Sequence, residues 1–467
     1  MSLIERHPST EISASPRLVI PFLDTEPLTD VKLAILLLPV WWWLGIEQFI
    51  WPVVFGVATL KVLYLQRLRL RVTRPLPWFA LFLVAVLISG LFVQEQARYM
   101  TYARNFGAFV AGFFAFLIIT NRARSMKAIE GLLNAVLVVV LLAGVAGLLA
   151  VLDIWRPAIH SLMGSVLPTS VMATSYGHAL AIRELGQVGW FTGLGSYFRL
   201  SSFFLFGNHY SGVLIYVIPF LFMRMSQSRN VVKIAVALGI VLLIINLIYT
   251  TGRVAALSLL VGALYFALFQ AIYRRTVRAL AGVGLTIAIL LVLFLSVVEF
   301  GSASQDAGLI EQTTSTIEAF VLARGSGSYT SRFGVYTATL EGFLERPLFG
   351  WGTERDVEGL DLPAGSHSEY LAALYRQGIL GIFALTGLLL STWRATGPPR
   401  GSEAAKGRDG SILRYGRWFF IAAILNSVMN DPSVDSTSFV ILWVLMALLV
   451  TTHRYSSAQG DNGAPAG

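Results

Sequence analysis

Apolar runs separated by short polar stretches dominate the chain. They recur at 31–46, 48–65, 77–94, 102–120, 129–152, 203–222, 231–249, 254–273, 279–299, 369–392, 417–430 and 437–452. Most approach about twenty residues, the length that crosses a bilayer as a helix. The pattern predicts an all-α, polytopic membrane protein of about twelve transmembrane helices with both ends on one side.

Two connections are long, 153–200 and 300–368, and long loops on a rigid scaffold are where function tends to sit. Within the second, RFGVYTATLEGFLER places Phe333, Tyr336, Leu340, Phe343 and Leu344 at helical spacing. This predicts an amphipathic helix that either lies on the outer membrane surface or packs on the bundle, ended by Pro347, Gly350 and Gly352.

Composition agrees with membrane insertion: 55% of the 467 residues are hydrophobic and 13% charged, with a mean hydropathy of +0.69. Charge then orients the chain. Of 35 basic residues, 24 fall on the segments assigned to the cytoplasmic side, among them Lys61, Arg71, Arg122, Arg224, Arg274, Arg408 and Arg454. Eleven, all arginine, fall on the other side. The positive-inside rule therefore makes 1–30 a cytoplasmic segment, 31–452 the membrane domain with outer (periplasmic) loops 153–200 and 300–368, and 453–467 a disordered cytoplasmic tail. The net charge of +9 follows from insertion and gives no reason to invoke nucleic acid. Glu5, Glu11, Asp24, Glu26 and Asp30 precede any apolar run, unlike a cleavable signal peptide. With no cysteine, thiolate chemistry and disulfides are excluded.

Carboxylates are confined to span ends, at Glu47, Glu130, Glu299 and Glu369, whereas ion-coupled transporters usually keep ionisable groups near the midplane. No Walker loop, HExxH, GxSxG or dinucleotide fingerprint occurs. Chemistry is therefore expected at the outer mouth. There, PAGSHSEYLAALYRQGILG sets Ser366 and Glu369 as a capping box, which predicts a helix start at Ser366 with His367 in its first turn. The positive helix end disfavours imidazolium there, leaving a neutral ring able to accept a proton. Gly378 and Gly381 fall on nearly the same face deeper down, a smooth strip suited to helix packing or to passage of a lipid chain. A histidine at a helix end is structural more often than catalytic. Arg253, after Thr250-Thr251-Gly252, and Arg199, before the sixth span, alter that balance: guanidinium grips phosphate oxygens in a planar fork, although each could equally snorkel to lipid head groups.

These residues together resemble a family. His367-Ser368, nine residues, then Gly378-x-x-Gly381 is similar to the histidine signature of O-antigen ligases. SRFGVYTATLEGFLERPLFGWGT resembles the segment before that histidine in the O-antigen ligase and polymerase superfamily, and TGRVAALSLL and RLSSFFLFGNHYSG resemble its two arginine segments. The resemblance implies a metal-independent membrane glycosyltransferase without a cofactor. It would move a glycan from undecaprenyl diphosphate to an acceptor sugar hydroxyl, on lipid A core or a growing glycan, at the outer face of the bacterial inner membrane. By the same resemblance Arg199 and Arg253 hold the diphosphate, and His367 deprotonates the acceptor. Asp431 or Asp435 supplies an acidic residue in the last outer loop, and Arg332, Asn208 and Ser368 are candidate contacts to glycan or donor.

Ligase and polymerase are two variants of this reading, and the loop at 153–200, with Arg156 and Arg183, offers a grip for a growing chain. A glycolipid flippase or exporter, with Asn134 and Asn246 as its polar interior, and a non-catalytic scaffold are the alternatives of other classes. The charge partition is directly testable because the chain has no native cysteine. An impermeant maleimide is expected to label Ser326→Cys in intact spheroplasts and to spare Gly407→Cys; the reverse pattern inverts the topology.

Overall fold

A computed structural model describes residues 28–65, 70–96, 98–191, 195–274, 326–360, 362–397 and 407–462. The expected span at 279–299 and the first part of the second long loop lie outside these residues. The described chain is mostly helical. Five of its helices are long and apolar enough to cross a membrane: Arg98–Arg122, Met126–Val151, Asn230–Tyr249, Glu369–Arg394 and Ser436–Ala458. Ile50–Tyr64, Leu76–Phe92 and Arg253–Phe269 are shorter apolar helices.

Residue chemistry accounts for the departures from the expected spans. The first run is two short helices, α1 (Thr29–Leu36) and α2 (Leu38–Leu44), because Pro39 lacks the amide that would continue the ladder. After them come α3 (Ile50–Leu65), α4 (Leu76–Ser89), α5 (Arg98–Arg122) and α6 (Met126–Val151). The start of α6 is fixed by Ser125, whose hydroxyl accepts from the Ala128 amide. The long connection after α6 is not purely irregular. Strand β1 (Ala158–His160), helices α7 (Thr169–Met172) and α8 (Ser175–Ala181), and strands β2 (Ile182–Glu184), β3 (Gly186–Phe191) and β4 (Gly195–Leu200) fold within it. β1 pairs with β2 (Ala158 opposite Glu184) and β3 with β4 (Gly186 opposite Leu200), both antiparallel, so the all-α expectation gains two small sheets. Helices α9 (Gly207–Gln227), α10 (Asn230–Tyr249), α11 (Arg253–Arg274), α12 (Ser326–Glu345), α13 (Glu369–Arg394), α14 (Arg408–Asn426) and α15 (Ser436–Asn462) complete the order. α15 runs well past 452 into the expected tail, held by Tyr455, whose hydroxyl donates to the Ala123 carbonyl at 2.9 Å, and by Arg454, which donates to that of Thr120 at 3.0 Å.

α15 is the buried axis of the bundle. Its Phe439 and Trp443 rings meet Phe109, Phe116 and Phe79, with centroids 4.5–6.2 Å apart. Gly112 of α5 allows that approach, since a Cβ there would lie 2.8 Å from Phe439. Peripheral helices instead expose apolar side chains, Val53, Val57 and Leu60 on α3 and Val231, Ile234 and Leu238 on α10, as lipid-facing surfaces do. Asn246 is not part of a polar interior path. Its amide accepts from the Tyr210 hydroxyl at 3.0 Å and donates to the Gly144 carbonyl at 3.1 Å, bonding α10 to α9 and α6.

Polar contacts sort the connections into two ends. At one, Asp30 pairs with Lys61 (3.3 Å) and Arg122 (3.2 Å), and Glu130 with Arg224 and Arg408, all from segments whose charge marks them as one side. At the other, Glu47, Arg183, Arg199, His209, Arg376, Asp431 and Asp435 meet. Arg183, expected to grip a glycan, is 1% exposed and bound to Glu47 at 2.7 Å, with Trp42 beneath its guanidinium. It anchors the β1–β2 layer to the turn between α2 and α3. Burial raises the Glu47 carboxyl, and the charge of Arg183 opposes that shift.

Removing one member of a buried ion pair strands the other charge. Glu47→Ala is therefore expected to cost about 3–5 kcal/mol, read as a lower unfolding temperature in detergent. Glu47→Ala combined with Arg183→Met should recover much of that loss; equal stability for the single and double variants would refute the pairing.

Candidate functional site

The site is built on the start of α13. The sequence pattern places the helix start at Ser366, but the first helical residue is Glu369 and the N-cap is Ser368, whose hydroxyl accepts from the Leu371 amide at 3.3 Å. The reason is competition for the amide of Glu369: it donates to the carbonyls of Ser427 (3.0 Å) and Asn430 (3.1 Å) beyond the end of α14, so no reciprocal capping box forms. The Ser366 hydroxyl turns back to the Pro363 carbonyl at 2.6 Å. His367 therefore lies before the helix, not in its first turn, with left-handed φ of 60°. Tyr336 of α12 donates its hydroxyl to the His367 carbonyl at 3.1 Å, and Thr339 accepts from the Gly365 amide at 2.8 Å. α12 thus presents its polar side inward, while Phe333, Leu340 and Leu344 remain exposed as one apolar face. Arg332 lies on the same helix, its side chain outside the described residues.

Gly378 does not continue a smooth strip below His367. Its φ of 67° and ψ of −161° interrupt α13, and a Cβ there would fall 2.4 Å from the Leu348 carbonyl carbon. Segment 347–352 docks into the break: the Ile379 amide donates to the Pro347 carbonyl (2.8 Å), and the amides of Trp351 and Gly352 donate to Tyr375 (3.0 Å) and Arg376 (2.8 Å). Just above the break, Arg376 is 1% exposed and bonded to Glu354 (2.9 Å) and Asp431 (3.4 Å). Ser433 donates to Glu369 at 2.9 Å, closing the last connection onto α13. Asp431 is thereby a structural partner of Arg376. Beside Glu369, a small apolar cavity of about 30 Å³ lies between α4, α13, α14 and α15, with Phe82, Leu385, Leu388, Phe439 and Trp443 on its walls.

Arg199 and Arg253 are brought to one turn. From β4, Arg199 donates through Nε to the Thr250 carbonyl at the end of α10 (3.2 Å), and its guanidinium lies against Gly207 at the start of α9. Arg253 opens α11 three residues later and is exposed. The turn packs on α9, where a Cβ on Gly252 would come within 2.5 Å of Ser211, and its Thr251 has left-handed φ of 55°. Asn208, on the first turn of α9, is half-buried, and its carbonyl accepts from the Ser211 hydroxyl at 2.7 Å. Asp435 is fully buried: Oδ1 accepts from Gln48 Nε2 (2.8 Å) and the Thr437 amide (3.0 Å), and Oδ2 stands 3.8 Å from His209 Nδ1. Burial raises its carboxyl, against the hydrogen bonds from Gln48 and the backbone amides that lower it.

Three residues of this end carried no expected role. His209 lies within Coulomb range of Asp431, Arg104, Arg199 and His367. Arg104 stacks 4.6 Å over the Tyr176 ring. Arg376 had a visible signal, a permanent charge two turns inside an apolar run, which must find a carboxylate. His209 had one only in its closeness in sequence to Arg199. Among the described residues, no group of three or more His, Asp or Glu is arranged to hold a metal ion.

A helical bundle with lipid-facing flanks, which gathers a histidine, two arginines and a buried carboxylate at one end, is a membrane protein with a polar site at the bundle's mouth. Residues 238–386 match the family model described as O-antigen ligase, which supports membership of the O-antigen ligase and polymerase superfamily. The matched stretch contains Arg253, His367, Gly378 and Gly381. No curated protein matches the chain.

Proposed function

We propose that the protein is an O-antigen ligase-type glycosyltransferase that moves a glycan from undecaprenyl diphosphate to an acceptor sugar hydroxyl, such as one on lipid A core, at the outer face of the bacterial inner membrane. The observation that carries this reading is that Arg199, bonded to the turn that leads into Arg253, and His367 both act electrostatically on the buried His209 at one end of the bundle. In the proposed reaction the acceptor oxygen attacks the anomeric carbon, the bond from that carbon to the phosphate oxygen breaks, and the diphosphate leaves with the bonding electrons. His367 takes the hydroxyl proton, and the two guanidinium groups stabilise the charge gathering on the leaving group. No step requires a metal or a cofactor. A polymerase would run the same chemistry with a growing glycan as acceptor. The acidic residue of the site is Asp435 or Asp431: Asp435 stands 3.8 Å from His209 and is bonded to Gln48, and Asp431 is bonded to Arg376.

His367→Asn tests the base without disturbing the backbone, because asparagine tolerates the left-handed conformation that alanine resists. It should slow transfer by about 10²-fold or more at unchanged protein level; near-normal turnover of the purified variant removes His367 from the mechanism.

Arg253→Lys separates phosphate gripping from lipid anchoring. Lysine snorkels as well as arginine but cannot copy the planar fork. Loss of one charge-assisted hydrogen bond predicts transfer slower by about 10- to 150-fold. Arg346→Lys serves as the control, since Arg346 stacks on Trp351 away from this turn. Equal, near-wild-type rates for both would make Arg253 an anchor.

A further inference from the structure

One buried titratable group remains without a function. His209, the third residue of α9, is 4% exposed, and neither ring nitrogen has a hydrogen-bond partner in the protein. The nearer carboxylate oxygen, Oδ2 of Asp435, also has none, and its 3.8 Å separation from Nδ1 is too long for a hydrogen bond. Asp435 is held in place, its Oδ1 by Gln48 and Gln48 by the Ser436 amide at 2.9 Å, so closing that gap falls to the His209 ring. Buried polar atoms are normally paired, and each orphan in a folded protein calls for an explanation.

The surroundings point to the missing partner. The groups facing His209 are Asp435 at the start of α15, Asp431 in the last connection, Arg104 of α5, Arg199 of β4 and His367 before α13, with Phe206 of its own segment against the ring. Arg199 also lies against the first residue of α9, with its Nε 3.0 Å from where a Cβ on Gly207 would sit. That helix begins with no side-chain cap, so its first amides and the arginine favour an anion at the same place.

We propose that His209 is a ligand-contacting residue of this site, bonded through one ring nitrogen to Asp435 and through the other to an oxygen of the lipid-linked diphosphate, and that it becomes doubly protonated when that diphosphate binds. The inference rests on the reading of Arg199 as a diphosphate contact. The proton count follows from donor inventory: a neutral imidazole has one N–H, whereas an ionised Asp435 and a phosphate oxygen are both acceptors, so serving both with Asp435 ionised requires imidazolium. Burial disfavours a charged ring, as do Arg104 and Arg199; the incoming negative charge of the diphosphate offsets these and favours that form.

The test uses full-length protein in nanodiscs, labelled with ¹⁵N-histidine, and farnesyl diphosphate-linked N-acetylglucosamine as the probe. Assignment by His209→Gln is expected to show His209 moving from a neutral ring to two protonated nitrogens on probe binding. The same variant should bind the probe about 10- to 150-fold more weakly, the loss of one charge-assisted hydrogen bond. Asp435→Asn should weaken binding similarly, and the double variant should be no worse than either single one, because the two residues act as a unit. If His209→Gln does not fold, the wild-type titration still decides, with assignment by elimination using single substitutions of the other five histidines. Wild-type binding with no change in any buried imidazole, or unaltered affinity in His209→Gln, overturns the inference while leaving the proposed function standing. No binding by the wild type would overturn the reading of the diphosphate site itself.

Discussion

A polar group at the mouth of a membrane-spanning bundle must find its partner within the protein, because little water is available to replace one. That constraint explains how this end of the molecule is assembled. The amide of Glu369 takes carbonyls from beyond α14, Ser433 takes the Glu369 carboxylate, Arg376 takes Glu354 and Asp431, and Gln48 takes both Asp435 and the Ser436 amide. Each bond joins segments far apart in sequence. The connections at the mouth are therefore held by one another, and their shape is a property of the assembled bundle.

The same constraint separates what the sequence disclosed from what it did not. Apolar run lengths and the amphipathic pattern of α12 are local or additive signals, and they located most of the described helices. Pro39 bends the first run in a way its own chemistry allows one to see. The start of α13 was misplaced because Ser366-x-x-Glu369 is a sound local signal that loses to a tertiary one, the carbonyls of Ser427 and Asn430. Gly378 and Gly381 were legible as glycines that matter but not as a break, since the break exists only where the 347–352 segment fills it. That Asp431 pairs with Arg376 and Asp435 with Gln48 is a tertiary fact that no spacing in the chain gives.

α12 links the two kinds of information. Its apolar face, Phe333, Leu340 and Leu344, is exposed, whereas Tyr336 and Thr339 reach the His367 segment. A helix whose outer face suits an interfacial layer and whose inner face holds a site residue ties the depth of that residue to the position of the helix. Trp351, stacked between the guanidinium groups of Arg346 and Arg355 and donating to the Gly342 carbonyl, fixes the far end of this helix on the segment that docks at Gly378.

Ser202, Thr251 and His367 share a left-handed backbone that side chains other than glycine and asparagine adopt only at a cost of roughly 1–3 kcal/mol each. All three stand beside a residue of the site: Ser202 follows Arg199, Thr251 precedes Arg253, and the third is the histidine. Sequence optimisation for stability would select glycine or asparagine at these positions first. Under the proposed function such selection would run against activity at His367, and at Ser202 and Thr251 it would alter the turns beside Arg199 and Arg253. The mouth of the bundle is thus where thermostability and catalytic competence are set against each other, and a directed-evolution campaign for either should treat these three positions as the axis of that trade.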